Sequence, residues 1–452
     1  MAISVRSHAI LALSAVVIAI AVGSLRMVPR SAIPDHMLNG TLFYEKELFS
    51  RSTQAALLGL VKRIGRFPCN TEDTRFYVAK HRHIGESVDC DSPEANANPL
   101  LVPLNASQKG GACAFPGRVD IGRHWVLTGG PTAIRERFDS MATRVMSFGA
   151  YMFDLEKYPE VQQLFSDERF QNAARIVCPD SKSHIDPFQY NFIINLPGQT
   201  VATHIDGVYF RRASRFQFPQ WLLAAMKFSG MWEDEFVNQV QIVGYVHEWN
   251  PDSFESKDAS GPFLYYSDNS GQPGAVYPVP RSGTAVDGSS TIHAAGVYRP
   301  DELPPRIDVA YSHWLSYEGG DSWSLKRAPK GESDNGETLR MYTTSDLRIS
   351  IVYRARCFED DATAAQYASN VATGTFENSL TLQEVLETFF EDLKSKGFYA
   401  QSALENVPRS HLATDILKTY VKYPLPRALV PWNYCALGKL MPALSPAVSL
   451  IC

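Results

Sequence analysis

The 452-residue sequence has no basic excess: 43 Lys and Arg stand against 48 Asp and Glu, a formal net charge of -5. It therefore offers no general attraction to nucleic acid, and a nucleic-acid substrate is not expected. The seven cysteines, Cys69, Cys90, Cys113, Cys178, Cys357, Cys435 and Cys452, lack the close pairing of a zinc ribbon. Internal repeats and low-complexity tracts are also missing, and the Pro-rich C-terminal tail has no long apolar run of the lipid-anchor kind. What remains is ordinary globular composition, 45% hydrophobic and 20% charged, in a chain long enough for one large or two ordinary domains.

One apolar stretch stands out at the N-terminus. Ala9 to Leu25 carries no charge and is flanked by Arg6, Arg26 and Arg30. Two readings stand, a retained signal anchor and a cleaved signal peptide, the latter helped by the small residues Ala21, Gly23 and Ser24. Two glycosylation sequons, Asn39-Gly-Thr41 and Asn105-Ala-Ser107, agree with a lumenal, secretory-pathway location and attachment to a membrane through the N-terminal segment. In an oxidising lumen a disulfide among Cys69, Cys90 and Cys113 is expected, beside the alternative of buried thiols throughout.

The pattern divides the chain into four parts: a signal segment (1–30), a stem and irregular cysteine-containing region (31–117), a main domain (118–360) and a helical extension (361–452). A stem over Arg26 to about Gln54 leads to a short helix over Ala55–Ile64. Helices are expected from Pro131, with Ile134, Phe138, Met141 and Val145 on one face, and around Pro159–Phe165, as buttresses of a sheet. The β region runs from Phe188 to Phe358. It is interrupted by a helical insertion over Arg215–Phe236, with Trp221 and Trp232 hinting at an apolar wall, and by a polar stretch, Gly319–Leu339, that reads as a long mobile loop. Beyond it, the Thr381-Leu-Gln-Glu384 capping box, the apolar stripe from Leu382 to Leu393 and Gly397 mark a helix, with another around His411–Val421.

The chemistry gathers in Gln189–Phe210. Here two β-branched runs flank the turn signal Pro197-Gly198 and end in His204-Ile205-Asp206. Alternate residues of a strand share a face, so His204 and Asp206 leave the backbone together. His293 is the candidate third ligand of a two-histidine, one-carboxylate metal site. In the later strand Leu347–Tyr353, Arg348 and Ser350 share a face, suited to gripping one end of a dicarboxylate.

Competing assignments stay open at this level. His184-Ile185-Asp186 repeats the H-x-D pattern beside Pro187; His247 and His313 compete with His293; Arg340, Arg354 and Arg356 compete with Arg348. Asn195, nine residues before His204, has an amide able to hydrogen-bond a carboxylate.

The ordered set H-x-D, distal His and R-x-S resembles the Fe(II)/2-oxoglutarate-dependent oxygenase superfamily of prolyl-hydroxylase-like jelly-roll dioxygenases, over roughly residues 185 to 357. Further likeness lies in Asn238–Asp252, Gly261-Pro262-Phe263-Leu264 and Pro278–Gly283. The interval of 55 residues from His293 to Arg348 is longer than usual there, which the Gly319–Leu339 insertion would explain. The resemblance implies an α+β fold with a mainly β core: a double-stranded β-helix with buttressing helices and a helical C-terminal region. It further implies Fe(II) held by His204, Asp206 and His293, the cosubstrate 2-oxoglutarate held by Arg348, Ser350 and Asn195, and reaction with O2. The expected outcome is hydroxylation of a protein side chain or small molecule, with succinate as coproduct. A cupin-like jelly roll that binds a ligand without catalysis is the alternative. A glycosyltransferase, suggested by the N-terminal run and Asp89-Cys90-Asp91, would need alternating β and α units that this sequence does not show.

Overall fold

The structure is a computed structural model. It describes residues 32–69 except 39, the short pieces 87–89, 92, 102–103 and 112–114, and residues 143–424 except 153–154, 214–217, 219, 309–310, 333–335 and 377. The apolar run at 9–25, the sequon asparagines 39 and 105, most of the helix expected from Pro131, and residues 90 and 91 of the D-x-D triplet lie outside the described residues. Among the described residues no helix is long and apolar enough to cross a membrane.

In chain order the strands are β1 (Leu42–Glu45), β2 (Arg66–Pro68), β3 (Ser87–Asp89), β4 (Val102–Pro103), β5 (Ala112–Ala114), β6 (Phe148–Tyr151), β7 (His184–Asn195), β8 (Val201–His204), β9 (Gln239–Tyr245), β10 (Phe263–Tyr266), β11 (Gly274–Val276), β12 (Gly283–Val286), β13 (Ile292–Ala295), β14 (Tyr311–Gly319), β15 (Ser322–Pro329), β16 (Glu337–Thr343) and β17 (Arg348–Phe358). The helices are α1 (Arg51–Ile64), α2 (Pro159–Phe165), α3 (Glu168–Val177), α4 (Gln220–Ser229), α5 (Asp361–Thr373), α6 (Leu382–Ser395) and α7 (Arg409–Tyr420). The strands pair antiparallel. They form a six-stranded sheet β1-β12-β9-β17-β7-β6, a four-stranded sheet β11-β10-β13-β8, an outer sheet β16-β15-β14-β2, and a small sheet β3-β5-β4.

The six-stranded sheet owes its position to strict alternation in its three central strands. Ile349, Ile351, Tyr353, Ala355 and Cys357 of β17, Tyr190, Phe192 and Ile194 of β7, and Val240 and Ile242 of β9 all enter one apolar core with residues of α1, α2 and α3. The intervening residues, among them Arg348, Ser350, Arg354, Asn195 and Gln241, therefore face the other way. Burying Ile349 and Ile351 alone is worth roughly 1.5–3 kcal/mol each. A slip of one residue in one direction would put Arg348 and Ser350 at these two core positions, so the register is strongly fixed. Leu48 and Phe49 close the layer over Gly283 and Gly244. A Cβ on Gly283 would lie 2.4 Å from Leu48 Cδ2, and one on Gly244 would lie 2.9 Å from Phe49 Cε1. The described part of the stretch expected to be a stem, from residue 32, thus contributes to the cores, with β1 as an edge strand of the main sheet and α1 starting at Arg51, capped by Ser50.

A second core lies behind the four-stranded sheet. Ile205 and Ile292 join Trp221, Leu222 and Met226 of α4, Phe389 and Phe390 of α6 and Ile416 of α7. The helices after β17 are therefore packed onto the β domain, and Trp221 and Trp232 serve this packing instead of lining a cavity between the sheets. The capping box at Thr381 and Glu384 is present as read, and Gly397 has a left-handed φ of +90°.

The polar stretch after Gly319 is not a loop. Gly319 and Gly320, with φ of 101° and 61°, turn a hairpin between β14 and β15, and β16 adds a third strand. The loop expectation weighed its glycines and charges and missed the alternation of Trp323 and Leu325, both fully buried in the first core. This sheet fills the long interval between His293 and Arg348.

Two further ties fix β17. Cys178, at the end of α3, forms a disulfide with Cys357, closing a separation of 179 residues with a Cα–Cα distance of 5.7 Å. The expectation of a pair among Cys69, Cys90 and Cys113 did not foresee this bond, because residues so far apart give no local signal. On the opposite side, the backbone N–H groups of Val246 and His247 donate to the Ile349 carbonyl (2.9 and 3.3 Å), and the buried His247 ring points Nε2 at the Pro278 carbonyl (2.8 Å) and stacks on Trp249. Its imidazole thus braces the sheet. Burial pushes it down to about 3, against the opposing hydrogen bond to Pro278.

Two outcomes follow from these ties. Replacing Cys178 and Cys357 by Ala should lower unfolding free energy by about 2–5 kcal/mol in a denaturant titration, the range for a disulfide closing a long loop. A change within error of zero would mean that the cross-link constrains nothing. For His247, the unfolded chain takes up a proton first, because its imidazole there keeps the ordinary 6.5 against about 3 when folded. The associated stability is present above pH 6.5 and is lost as pH falls toward 3. A His247→Gln protein should accordingly show a stability slope between pH 6 and 4 that is shallower than wild type by up to about 1.4 kcal/mol per pH unit. Parallel slopes would refute this assignment.

Candidate metal and cosubstrate site

The sheets meet at three buried side chains. His204 closes β8 and His293 stands in register opposite it on β13, with ring centroids 4.3 Å apart. Ile205 turns into the second core, and Asp206 returns to the side of His204. Ligand atoms of His204, Asp206 and His293 lie within 4.8 Å of one another, a grouping able to hold a metal ion. His204 Nε2 is 3.6 Å from Asp206 Oδ1.

Local contacts orient each group. The Nδ1 atoms of His204 and His293 lie 2.7 and 2.9 Å from the carbonyls of Ala202 and Thr291, two residues earlier in each case. Donation there from Nδ1 leaves Nε2 of both rings as the lone-pair atom turned to the centre. Gln241 of β9 reaches across from the main sheet, its Nε2 lying 3.2 Å from His293 Nε2. The ring of Phe263 stacks on the other side of His293 at 5.4 Å.

Asp206 is held more tightly. Its backbone N–H donates to the Gly288 carbonyl (2.7 Å), and its carboxylate accepts from Nε and Nη2 of Arg354, both at 3.1 Å. Burial alone would raise its pKa, but the Arg354 guanidinium outweighs that and holds it well below the usual carboxylate range. Burial, with His204 beside it, pushes the His293 imidazole down to about 4. The centre is thus an ionised carboxylate with neutral His293, the protonation that divalent metal binding requires.

Along the same inner surface lies a second polar group. Arg348 is paired in register with Asn195 and donates from Nη1 to its Oδ1 (3.2 Å), while the guanidinium stands 5.2 Å over the ring of Tyr245. Ser350 donates to the Ile193 carbonyl at 3.3 Å. Several buried atoms here have no hydrogen-bond partner: Arg348 Nε, Asn195 Nδ2, Tyr245 OH, Thr284 Oγ1 and Gln241 Oε1. Thr284 pairs with Val243, midway between Gln241 and Tyr245 on β9, so these orphaned groups run from the triad to Arg348. Buried polar atoms are rarely left unpaired, and donors converging beside a guanidinium fit a bound dicarboxylate.

The competing residues have other occupations. His184 opens β7 and pairs with Asp361, while Asp186 pairs with Arg356. His247 is the brace between strands described above. His313 lies on β14 of the outer sheet, where its carbonyl accepts the Cys69 N–H. Arg340 is on exposed β16 near Glu302, Arg354 is committed to Asp206, and Arg356 to Asp186 among the rings of Phe188, Tyr209 and Tyr367. The sequence reading missed Gln241, Tyr245, Thr284 and Gly288. The alternation Gln239, Gln241, Val243, Tyr245 in β9 was a visible signal for two of them.

No protein-family model matches this sequence, and no curated protein matches it. Among solved structures, the chain is similar to a prolyl hydroxylase from Trichoplax adhaerens in complex with a peptide of the hypoxia inducible factor oxygen degradation domain, at 9% identity and TM-score 0.31, covering 72% of this chain and 87% of that one. It is also similar to a prolyl-4-hydroxylase from Pseudomonas putida, at 11% identity and TM-score 0.27 over 70% of this chain and 94% of that one. A third is HygX from Streptomyces hygroscopicus with nickel and 2-oxoglutarate bound, at 6% identity and TM-score 0.29 over 70% and 82%. These likenesses are slight, and the functional reading below rests on the geometry of the chain's own residues.

Proposed function

We propose that the chain is an Fe(II)- and 2-oxoglutarate-dependent oxygenase on a double-stranded β-helix. The observation that carries this is the buried convergence of His204, Asp206 and His293 within 4.8 Å, with a line of unpaired polar atoms ending at Arg348 on the same inner surface. The path of the chain supports the scaffold. From β7 to β13 and then β17, successive strands pass between the six-stranded and four-stranded sheets, except that β10 and β11 are neighbours in one sheet. An intact triad also favours catalysis over a ligand-binding roll without a metal.

Iron and the keto acid, when bound, would supply with O2 the oxidising chemistry: one oxygen atom of O2 would enter the substrate as hydroxyl and the other succinate, while 2-oxoglutarate loses CO2. The two Nε2 atoms and the Asp206 carboxylate would hold the metal. Arg348 would hold one carboxylate of the cosubstrate, with Ser350, Asn195 and the Tyr245 hydroxyl as partners. Burial of these groups keeps water from the reacting centre.

The setting is the secretory pathway, with the N-terminal apolar segment as signal anchor or signal peptide and a protein side chain or small molecule as substrate. The Cys178–Cys357 disulfide supports an oxidising compartment.

Purified protein given Fe(II) and 2-oxoglutarate should release succinate, and Asp206→Ala should abolish it; undiminished turnover in that variant would sink the triad. Arg348→Met should raise the KM for 2-oxoglutarate by about 10- to 100-fold, corresponding to loss of a charged hydrogen-bond partner, with metal affinity unchanged. For location, glycosidase treatment of cell-expressed protein should produce a mobility shift that the double change Asn39→Gln and Asn105→Gln removes. Unglycosylated protein in the cytosolic fraction would contradict the lumenal assignment.

A further inference from the structure

We infer that Arg354 and Gly288 form a holder for the Asp206 carboxylate, setting how that group meets a metal ion; the inference rests on the triad reading above. Arg354 comes from β17 in the main sheet, and Asp206 follows β8 in the other sheet. The guanidinium grips both carboxylate oxygens, Nε on Oδ2 and Nη2 on Oδ1, each at 3.1 Å. A two-pronged contact of this kind fixes the plane of a carboxylate as well as neutralising it. The oxygen gripped by Nη2, Oδ1, is also the one 3.6 Å from His204 Nε2.

Such an ion pair has a simpler explanation, a strut between two sheets. Gly288 separates the two. Its carbonyl accepts the Asp206 N–H at 2.7 Å, and a Cβ built on it would lie 2.5 Å from Asp206 Oδ2. The turn thus fits closely behind the carboxylate, which a strut does not need. That turn is itself anchored: the Asp287 carboxylate accepts from Ser289 Oγ (2.6 Å), Asn238 Nδ2 (3.2 Å) and the Gln239 backbone N–H (3.2 Å), tying it to the start of β9. The carboxylate is thus gripped by a cation and approached closely, at Oδ2, by a glycine. Arg354 is a positioning residue here, acting on metal through Asp206.

The test uses Co(II) alone with the metal-free full chain, reading affinity by calorimetry and coordination by visible absorption. Wild type should bind one Co(II). Arg354→Gln and Gly288→Ala should each weaken binding by about tenfold or more, the usual effect of removing a ligand's supporting partner, and both should alter the absorption bands. Arg354→Lys, which keeps charge without the fork, should fall between. Should Arg354→Gln fail to fold, Gly288→Ala, which leaves the Arg354 side chain unaltered, carries the test. Wild-type affinity and spectrum in a destabilised Arg354→Gln, or in Gly288→Ala, would overturn the proposal in favour of a strut. Tighter binding in Arg354→Gln would overturn it by making the arginine a competitor for the carboxylate. If wild type shows no saturable Co(II) binding, or Asp206→Ala binds equally well, the failure lies with the triad itself.

Discussion

Alternation along β17 is the constraint on which the site depends. One parity sends Ile349, Ile351, Tyr353, Ala355 and Cys357 into the helix-covered core, and the other sends Arg348, Ser350 and Arg354 inward. Cationic side chains can be held inside the protein because the apolar parity fixes the strand and because each cation finds a polar neighbour waiting, Asn195 for Arg348 and Asp206 for Arg354. The same strand thus performs two tasks that would conflict on a single face. Arg354 follows Arg348 by six positions, so one strand places a cation at each end of the polar line between the sheets.

Much of this was legible in the sequence because it depends on period and order. His204 and Asp206 share a face by parity, and the R-x-S pattern placed Arg348 and Ser350 together; both expectations concern backbone geometry that neighbours in sequence dictate. The helix at Pro159–Phe165 and the capping box at Thr381 were legible for the same reason. What stayed hidden is pairing at long range. Nothing near Cys357 announces Cys178, and nothing near Arg354 says that its partner is a carboxylate 148 residues away. The outer sheet was misread for a different reason: charges and glycines dominated a stretch whose strand signal lay in the alternation of two large apolar residues, Trp323 and Leu325.

The polar inner surface also bears on how the protein tolerates its own interior. Unpaired atoms such as Tyr245 OH and Arg348 Nε carry a desolvation cost that the fold must offset elsewhere. The first apolar core, on the opposite side of the very strands that carry these atoms, provides that offset. Unpaired polar atoms at the centre and packed apolar side chains behind it thus alternate along the same strands.

The central place of β17 has a consequence for synthesis. It inserts between β7 and β9, yet it is the last strand of the sheet to leave the ribosome, more than a hundred residues after β9. Until it arrives, β7 and β9 each present an open edge, and the aspartate that is later clamped lacks its counter-ion. The growing polypeptide therefore carries His204, Asp206 and His293 of the candidate site well before β17 can shelter them.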